Sequence, residues 1–242
     1  MNNSINLYGI KIAHRGLFNN IDVPENSLLA FKRAIDKNIP IELDVRLTKD
    51  NILVVFHDAN LKRLTGVDKP IKELTYEELK QIKLLDTNLV IPMFNEVLSL
   101  VNGKVLIDIE IKVDDNVENI CQILIDILKN YKGNYIVKSF NPKVVRWFMK
   151  NYPNVTRGLL IADNYKNKFY NYLFTSKWIM LYCKPNFLAV SKKILNTWKI
   201  QKLRKKYLLL VWTIENKLEF IINKTLADSY ICNNLPFNKK IL

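Results

Sequence analysis

Short apolar runs recur nine times along this chain, at Ile10–His14, Ile39–Leu47, Ile52–Phe56, Lys104–Lys112, Tyr135–Phe140, Arg157–Ile161, Phe187–Val190, Leu208–Thr213 and Tyr230–Cys232. Each reads as a buried strand, and helix-forming stretches separate most of them. Pro24-Glu25-Asn26-Ser27 opens the first helix, with Asn26 or Ser27 as its cap and Leu28, Phe31 and Ile35 on its buried stripe. Thr75 and Glu78 form a capping box that starts a helix through Lys83. Pro92 precedes a helix to Val101, and Asn116 to Tyr131 carries apolar positions at Ile120, Leu124, Ile127 and Leu128. Strands and helices in alternation specify an α/β fold. The chain has 242 residues, a length that suits one TIM-type (β/α)8 barrel of about 250 residues. A single domain over 1–242 is therefore expected. A barrel needs eight strands, so one of the last four runs is expected outside it or not as a strand. Thr48-Lys49-Asp50-Asn51 makes a tight turn between the second and third runs, a quick pairing compatible with a barrel edge.

Composition narrows the function classes. Hydrophobic residues make up 49% and charged residues 25%, enough apolar material for a large core and no signature of disorder. The net charge of +14 admits nucleic acid, an anionic membrane or small anionic substrates as partners. Its surplus is mostly lysine spread along the chain. The densest cluster, Lys202, Arg204, Lys205 and Lys206, lacks the interleaved aromatics of a strand-binding surface, so nucleic acid is set aside in favour of a solvated helix face. A weak peripheral contact with acidic lipid headgroups is the alternative. Leu173 to Val190 is the most hydrophobic window, but Lys177, Lys184 and Pro185 interrupt it; it reads as a helix, a turn and a strand, with a membrane-surface role for Trp178 and Tyr182 as the lesser reading. Cys121, Cys183 and Cys232 are an odd set without metal-ligand spacing and read as buried free thiols. Met1 to Gly9 shows no secretory signal, which favours the cytoplasm. Glycine is scarce, at six residues, so Gly16 beside His14 points to a close backbone approach to a ligand.

The only two histidines, His14 and His57, each end a strand-like run. Between them, Glu42 and Asp44 stand two residues apart in an apolar run, and strand geometry points both the same way. Asp108, Glu110 and Lys112 form a second set of this kind. In a parallel barrel the carboxyl ends of both strands open on one face, where barrel enzymes hold their sites. Crowded carboxylates repel unless positive charge compensates. A hard divalent cation on oxygen ligands, Mg2+ or Ca2+, does so and leaves both imidazoles available for proton transfer. Arg15 and Lys112 add the charge that suits a phosphate, and phosphodiester cleavage follows as the reaction class. Taken singly, each of these residues also has a structural reading, the histidines as satisfied strand-end residues and the acids as partners of surface lysines; the joint pattern carries the argument.

His14-Arg15-Gly16, Pro24-Glu25-Asn26-Ser27, Glu42-Leu43-Asp44, Thr48-Lys49-Asp50, His57-Asp58, Glu110-Ile111-Lys112, Ser139-Phe140 and Trp212-Thr213, in that order, resemble the signature of the glycerophosphodiester phosphodiesterase (GDPD) family over nearly the whole chain. The resemblance implies a TIM-type barrel with a small insertion after the third strand, within about residues 60–92. It implies hydrolysis of small-molecule glycerophosphodiesters to glycerol 3-phosphate and an alcohol with the help of a divalent cation. By position, Glu42, Asp44 and Glu110 match metal ligands, His14 and His57 the acid/base pair, Arg15 and Lys112 phosphate contacts, and Ser139, Phe140 and Trp212 pocket residues. Two departures stand out. Ser27 replaces a common threonine, and Ala227 to Asn234 replaces a segment that in the family carries a glycine and a final acid. The stretch 163–184 is also unfamiliar. A lysophospholipase D-like enzyme of the same superfamily and a non-catalytic phosphate- or membrane-binding barrel are the alternatives.

Overall fold

A computed structural model describes residues 5–163 and 175–233. Residues 164–174, half of the unfamiliar 163–184 stretch, and Asn234 lie outside the described residues. The strands are β1 (Lys11–Ala13), β2 (Ile41–Leu47), β3 (Leu53–Val55), β4 (Ile107–Ile111), β5 (Tyr135–Ser139), β6 (Arg157–Ile161), β7 (Phe187–Ser191), β8 (Leu208–Ile214) and β9 (Ser229–Cys232). They form one sheet in the order β1-β9-β8-β7-β6-β5-β4-β2-β3. A further parallel pairing, Ala13 opposite Ile41, closes β1 onto β2. Eight strands thus make the parallel ring of a TIM-type barrel, and one is left over. The odd strand is β3, not one of the last four. It pairs antiparallel with β2, Val45 opposite Val55 and Leu47 opposite Leu53, because the Thr48–Asn51 turn is too short for the crossover that parallel neighbours require.

The chain divides into two compact units, Ala13–Tyr135 and Met1–Ile12 with Ile136–Leu242. In the first, β2 and β4 are nearly continuous buried runs in parallel register. Helix α1 (Leu28–Ile35) is capped by Ser27, whose Oγ accepts from Ala30 N, so the Asn26 side chain is left for other work. Helix α4 (Phe94–Val101) follows Pro92, and α5 (Val117–Leu128) is capped by Asn116. The Thr75–Glu78 capping box forms, but its helix α3 (Tyr76–Leu79) is a single turn that ends well before Lys83. Val54 and Phe56, from β3 and its end, share an apolar cluster with Leu61 and Leu64 around α2 (Lys62–Thr65), Ile71 from a 3-10 turn, and Tyr76 and Leu79 from α3. β3 therefore packs against the segment that follows it as well as pairing with β2.

In the second unit, β6 to β9 pair in parallel register and are joined by α7 (Lys177–Cys183), α8 (Trp198–Arg204) and α9 (Lys217–Asn223), while α6 (Pro142–Asn151) follows β5. Arg204 is not merely part of a solvated face: its guanidinium ion-pairs with Asp228 at 2.8 Å and donates to the carbonyls of Thr225 and Ala227. All three cysteines are free and buried. No helix of the described residues is long and apolar enough to cross a membrane.

Candidate active site

The register between β2 and β4 sets Asp44 beside Glu110 and Glu42 beside Asp108. With a two-residue repeat, Glu42, Asp44 and Glu110 face the same way, and one carboxylate oxygen from each lies within 4.8 Å of the others. All three are buried. Asp108, which the sequence groups with Glu110, is fully buried but is not part of this cluster.

Three cationic or hydrogen-bonding groups close around the acids. Just after β1, Arg15 adopts a left-handed backbone (φ 54°), a conformation that costs a side-chain-bearing residue roughly 1 to 3 kcal/mol. Both of its peptide groups are held: its N–H donates to Glu42 Oε2 at 3.0 Å, and its carbonyl accepts from Asn26 N. The guanidinium then reaches Asp44 Oδ2 (3.4 Å) and Glu25 Oε1 (2.5 Å). From the end of β4, Lys112 Nζ bonds Glu110 and lies 3.2 Å from Asp44 Oδ1. Asn26 Nδ2 donates to Asp44 Oδ2 at 2.9 Å. Burial alone would push the Asp44 carboxyl up; the charges of Lys112, Arg15 and His57 and the Asn26 bond outweigh it and hold the group far below the usual carboxylate range. Burial would likewise discharge Lys112, but Glu110 and Asp44 raise its proton affinity. Arg15 is raised too, its burial offset by Asp44, Glu25 and Glu42.

His14 Nε2 sits 4.0 Å from Glu42 Oε2. His57 arrives by a different route. The β2–β3 hairpin runs back along β2, Phe56 N bonding the Asp44 carbonyl, and Arg46 on β2 donates Nε and Nη2 to the His57 carbonyl at 2.9 and 2.8 Å. His57 Nδ1 meets Asp58 Oδ1 at 2.6 Å. Asp58 is bonded by Arg63, which also holds Glu25, so a chain of hydrogen bonds links His57 through Asp58, Arg63 and Glu25 to Arg15. An open cleft of about 590 Å³ lies beside His57, with Asp58, Lys62 and Arg63 on its wall.

The structure thus brings His14, Arg15, Glu42, Asp44, Glu110 and Lys112 together by direct contacts and places His57 within electrostatic reach of Asp44. Ser139, Phe140 and Trp212 belong to the other unit, where Phe140 and Trp212 meet edge to face at 5.7 Å. Gly16 does approach other backbone, but that of Ala30: an added Cβ would lie 2.7 Å from the Ala30 carbonyl carbon, so its job is helix packing and not a ligand. Reasoning from sequence missed Glu25, Asn26, Arg46 and Arg63. Glu25 and Asn26 stand out in the sequence as a helix opening and as part of one signature motif, with no site role attached; Arg46 and Arg63 lie in no motif, and nothing local signals that their guanidiniums turn inward.

The chain matches the glycerophosphoryl diester phosphodiesterase family over residues 14–236. It belongs to that family. A glycerophosphodiester phosphodiesterase of Caldanaerobacter subterraneus is 39% identical over 163 residues, which cover 62% of this chain and 65% of the relative, just under two thirds of its length. A glycerophosphodiester phosphodiesterase of Thermotoga maritima superposes with a TM-score of 0.75 at 29% identity, covering 94% of this chain and 96% of that one. An Oleispira antarctica phosphodiesterase, solved with the product sn-glycerol-3-phosphate, shares the fold with a TM-score of 0.79 at 21% identity, over 93% of each chain. Against this family background, the acid cluster fits a hard divalent cation. A 4.8 Å spread is what oxygens about 2.4 Å from one ion can span, and the buried Asp44 Oδ1 accepts no hydrogen bond, carrying only its ion pair with Lys112.

Proposed function

We propose that this protein is a metal-dependent phosphodiesterase that hydrolyses glycerophosphodiesters to glycerol 3-phosphate and an alcohol. The observation that carries the reading is the convergence of Glu42, Asp44 and Glu110 with Arg15 and Lys112 packed against them. A cation held by the three carboxylates, Mg2+ or Ca2+, would offset charge on the phosphoryl oxygens. Arg15 and Lys112 would bind the same phosphate, Arg15 through its planar fork and Lys112 as a point charge. His14 and His57 are the acid/base pair, with His57 as base and His14 as acid. In support, Asp58 engages Nδ1 of His57, an arrangement that fixes the ring and leaves Nε2 for proton transfer. A shared fold with an enzyme solved in complex with sn-glycerol-3-phosphate favours the same product here. Buried free thiols agree with a reducing compartment, the cytoplasm.

The test is an assay of purified protein against a panel of glycerophosphodiesters with magnesium, calcium or chelator, reading released glycerol 3-phosphate. Metal-dependent release is expected. Absence of release with every metal and substrate would sink the assignment, and cleavage of lysophosphatidylcholine in place of glycerophosphocholine would select a lysophospholipase D-like activity.

A further inference from the structure

Charge on this chain is segregated, contrary to the even spread of lysines that its composition suggests. From Asn164 to Ile214 there is no Asp or Glu, while ten lysines and Arg204 fall in the same stretch and supply most of the net +14. Helices α7 and α8 lie inside it and α9 follows directly. These helices join the parallel neighbours β6, β7, β8 and β9 in chain order, so right-handed crossovers lay them side by side. Their inner sides share one apolar core, to which α7 gives Met180 and Cys183, α8 Ile200 and α9 Phe220.

The outer sides are not the polar surface expected of barrel helices. Seven of the nine large hydrophobic side chains exposed among the described residues stand on these three helices. On α7 they are Trp178, Leu181 and Tyr182, and on α9 Leu218, Ile221 and Ile222. Both sets have the spacing i, i+3, i+4, which gathers them on one helix face. Lysines bracket each set, Lys177 and Lys184 on α7 and Lys217 and Lys224 on α9. Between them α8 exposes Trp198 at 68%, with Lys202 Nζ 5.8 Å from the ring centre. Acids are scarce: α7 and α8 have none, and Glu219 of α9 is paired with Lys192 at 2.8 Å.

Clustered apolar residues at helical spacing mark a binding surface, and their lysine frame selects the partner. A second copy of this face would set the same lysines against one another. A nucleic acid would leave aliphatic Leu218, Ile221 and Ile222 without a base edge or stack to meet. Headgroups of anionic lipid accept the lysines while Trp and aliphatic side chains enter the region beneath them, the arrangement of interfacial amphipathic helices. We propose that the outer face of α7, α8 and α9 docks peripherally on an anionic phospholipid surface. The proposal is independent of the catalytic reading.

The whole protein is sedimented with vesicles of phosphatidylcholine alone or mixed with phosphatidylglycerol, at low and high salt. Binding is expected only to the mixed vesicles and should weaken with salt. Replacing Lys177→Glu with Lys184→Glu removes two attractive charges and adds two repulsive ones, and since each lysine near the surface contributes roughly fivefold, binding should fall at least about 25-fold. The triple change Leu218→Ser, Ile221→Ser, Ile222→Ser should lower it by roughly tenfold or more, with melting temperature and hydrolysis of a soluble glycerophosphodiester unchanged. No binding to the mixed vesicles at low salt overturns the proposal, as does full binding by the triple serine variant. A concentration-dependent dimer that the same serines abolish overturns it in favour of a second copy. Failure of the hydrolysis assay for every form, wild type included, would strike the catalytic reading and leave the vesicle result to decide this one.

Discussion

Glu25 is the residue through which the site's two exposed flanks are tied to its buried centre, and replacing it by glutamine isolates its charge with little change of shape. The carboxylate is 3% exposed and bonded by Arg15, Arg63 and Asn20. Burial pushes its proton affinity up, but the Arg63 hydrogen bonds, the Arg15 charge and the Asn20 bond more than offset it and hold the group at about 2, against 4.5 for a free side chain. A depression of that size corresponds to about 3 kcal/mol of preference for the charged form in the folded state. Because the folded value lies below the unfolded one, this contribution is complete above pH 4.5 and fades as pH falls towards 2; at pH 3 roughly 1 kcal/mol should be left. Denaturant unfolding of the native protein and Glu25→Gln, compared at pH 7 and pH 3, measures it. The variant should be less stable by about 3 kcal/mol at pH 7, with the gap closing to about a third at pH 3. A gap of equal size at both values, or none at pH 7, would refute the electrostatic account. With Arg15 no longer anchored, the KM of the proposed reaction should also rise more than its kcat falls.

Arg46→Ala strips two charged donors from the His57 carbonyl; a stability loss of about 2 kcal/mol is expected, with kcat falling more than KM rises and Arg46→Lys recovering part of it, whereas unchanged kcat would show that the carbonyl needs no such hold. His14→Ala and His57→Ala should each lower turnover by about 100-fold or more, and near-native turnover in both would exclude imidazole acid/base chemistry. Gly16→Ala must fit a Cβ at φ 81° against the Ala30 backbone, so thermal unfolding should reveal a loss of at least about 2 kcal/mol; a neutral change would mean that α1 can shift away.

Much of the fold was legible because strands buried on both faces announce themselves as apolar runs, and Arg157–Ile161 was read to the residue. The same signal misassigned β3. Leu53 to Val55 is as apolar as any barrel strand, and neither composition nor period distinguishes a strand that closes a ring from one that folds back over its neighbour. Only the pairing partner does, and pairing is a long-range property. Helix α3 fell short for a related reason, since a capping box fixes where a helix starts and not how far packing lets it run.

The sequence by itself determined the acid cluster, because the two-residue period of a strand dictates that Glu42 and Asp44 share a face and that Glu110 shares one with Asp108 and Lys112. Tertiary structure decided which of these meet. The β2–β4 register sets Asp44 beside Glu110, and burial demands compensation by Arg15 and Lys112 from distant points of the chain. The Arg46 hold on His57 and the Glu25 bridge between Arg15 and Arg63 likewise exist only in three dimensions. Charged side chains are long and find their partners across tens of residues, so no local pattern records where they will end.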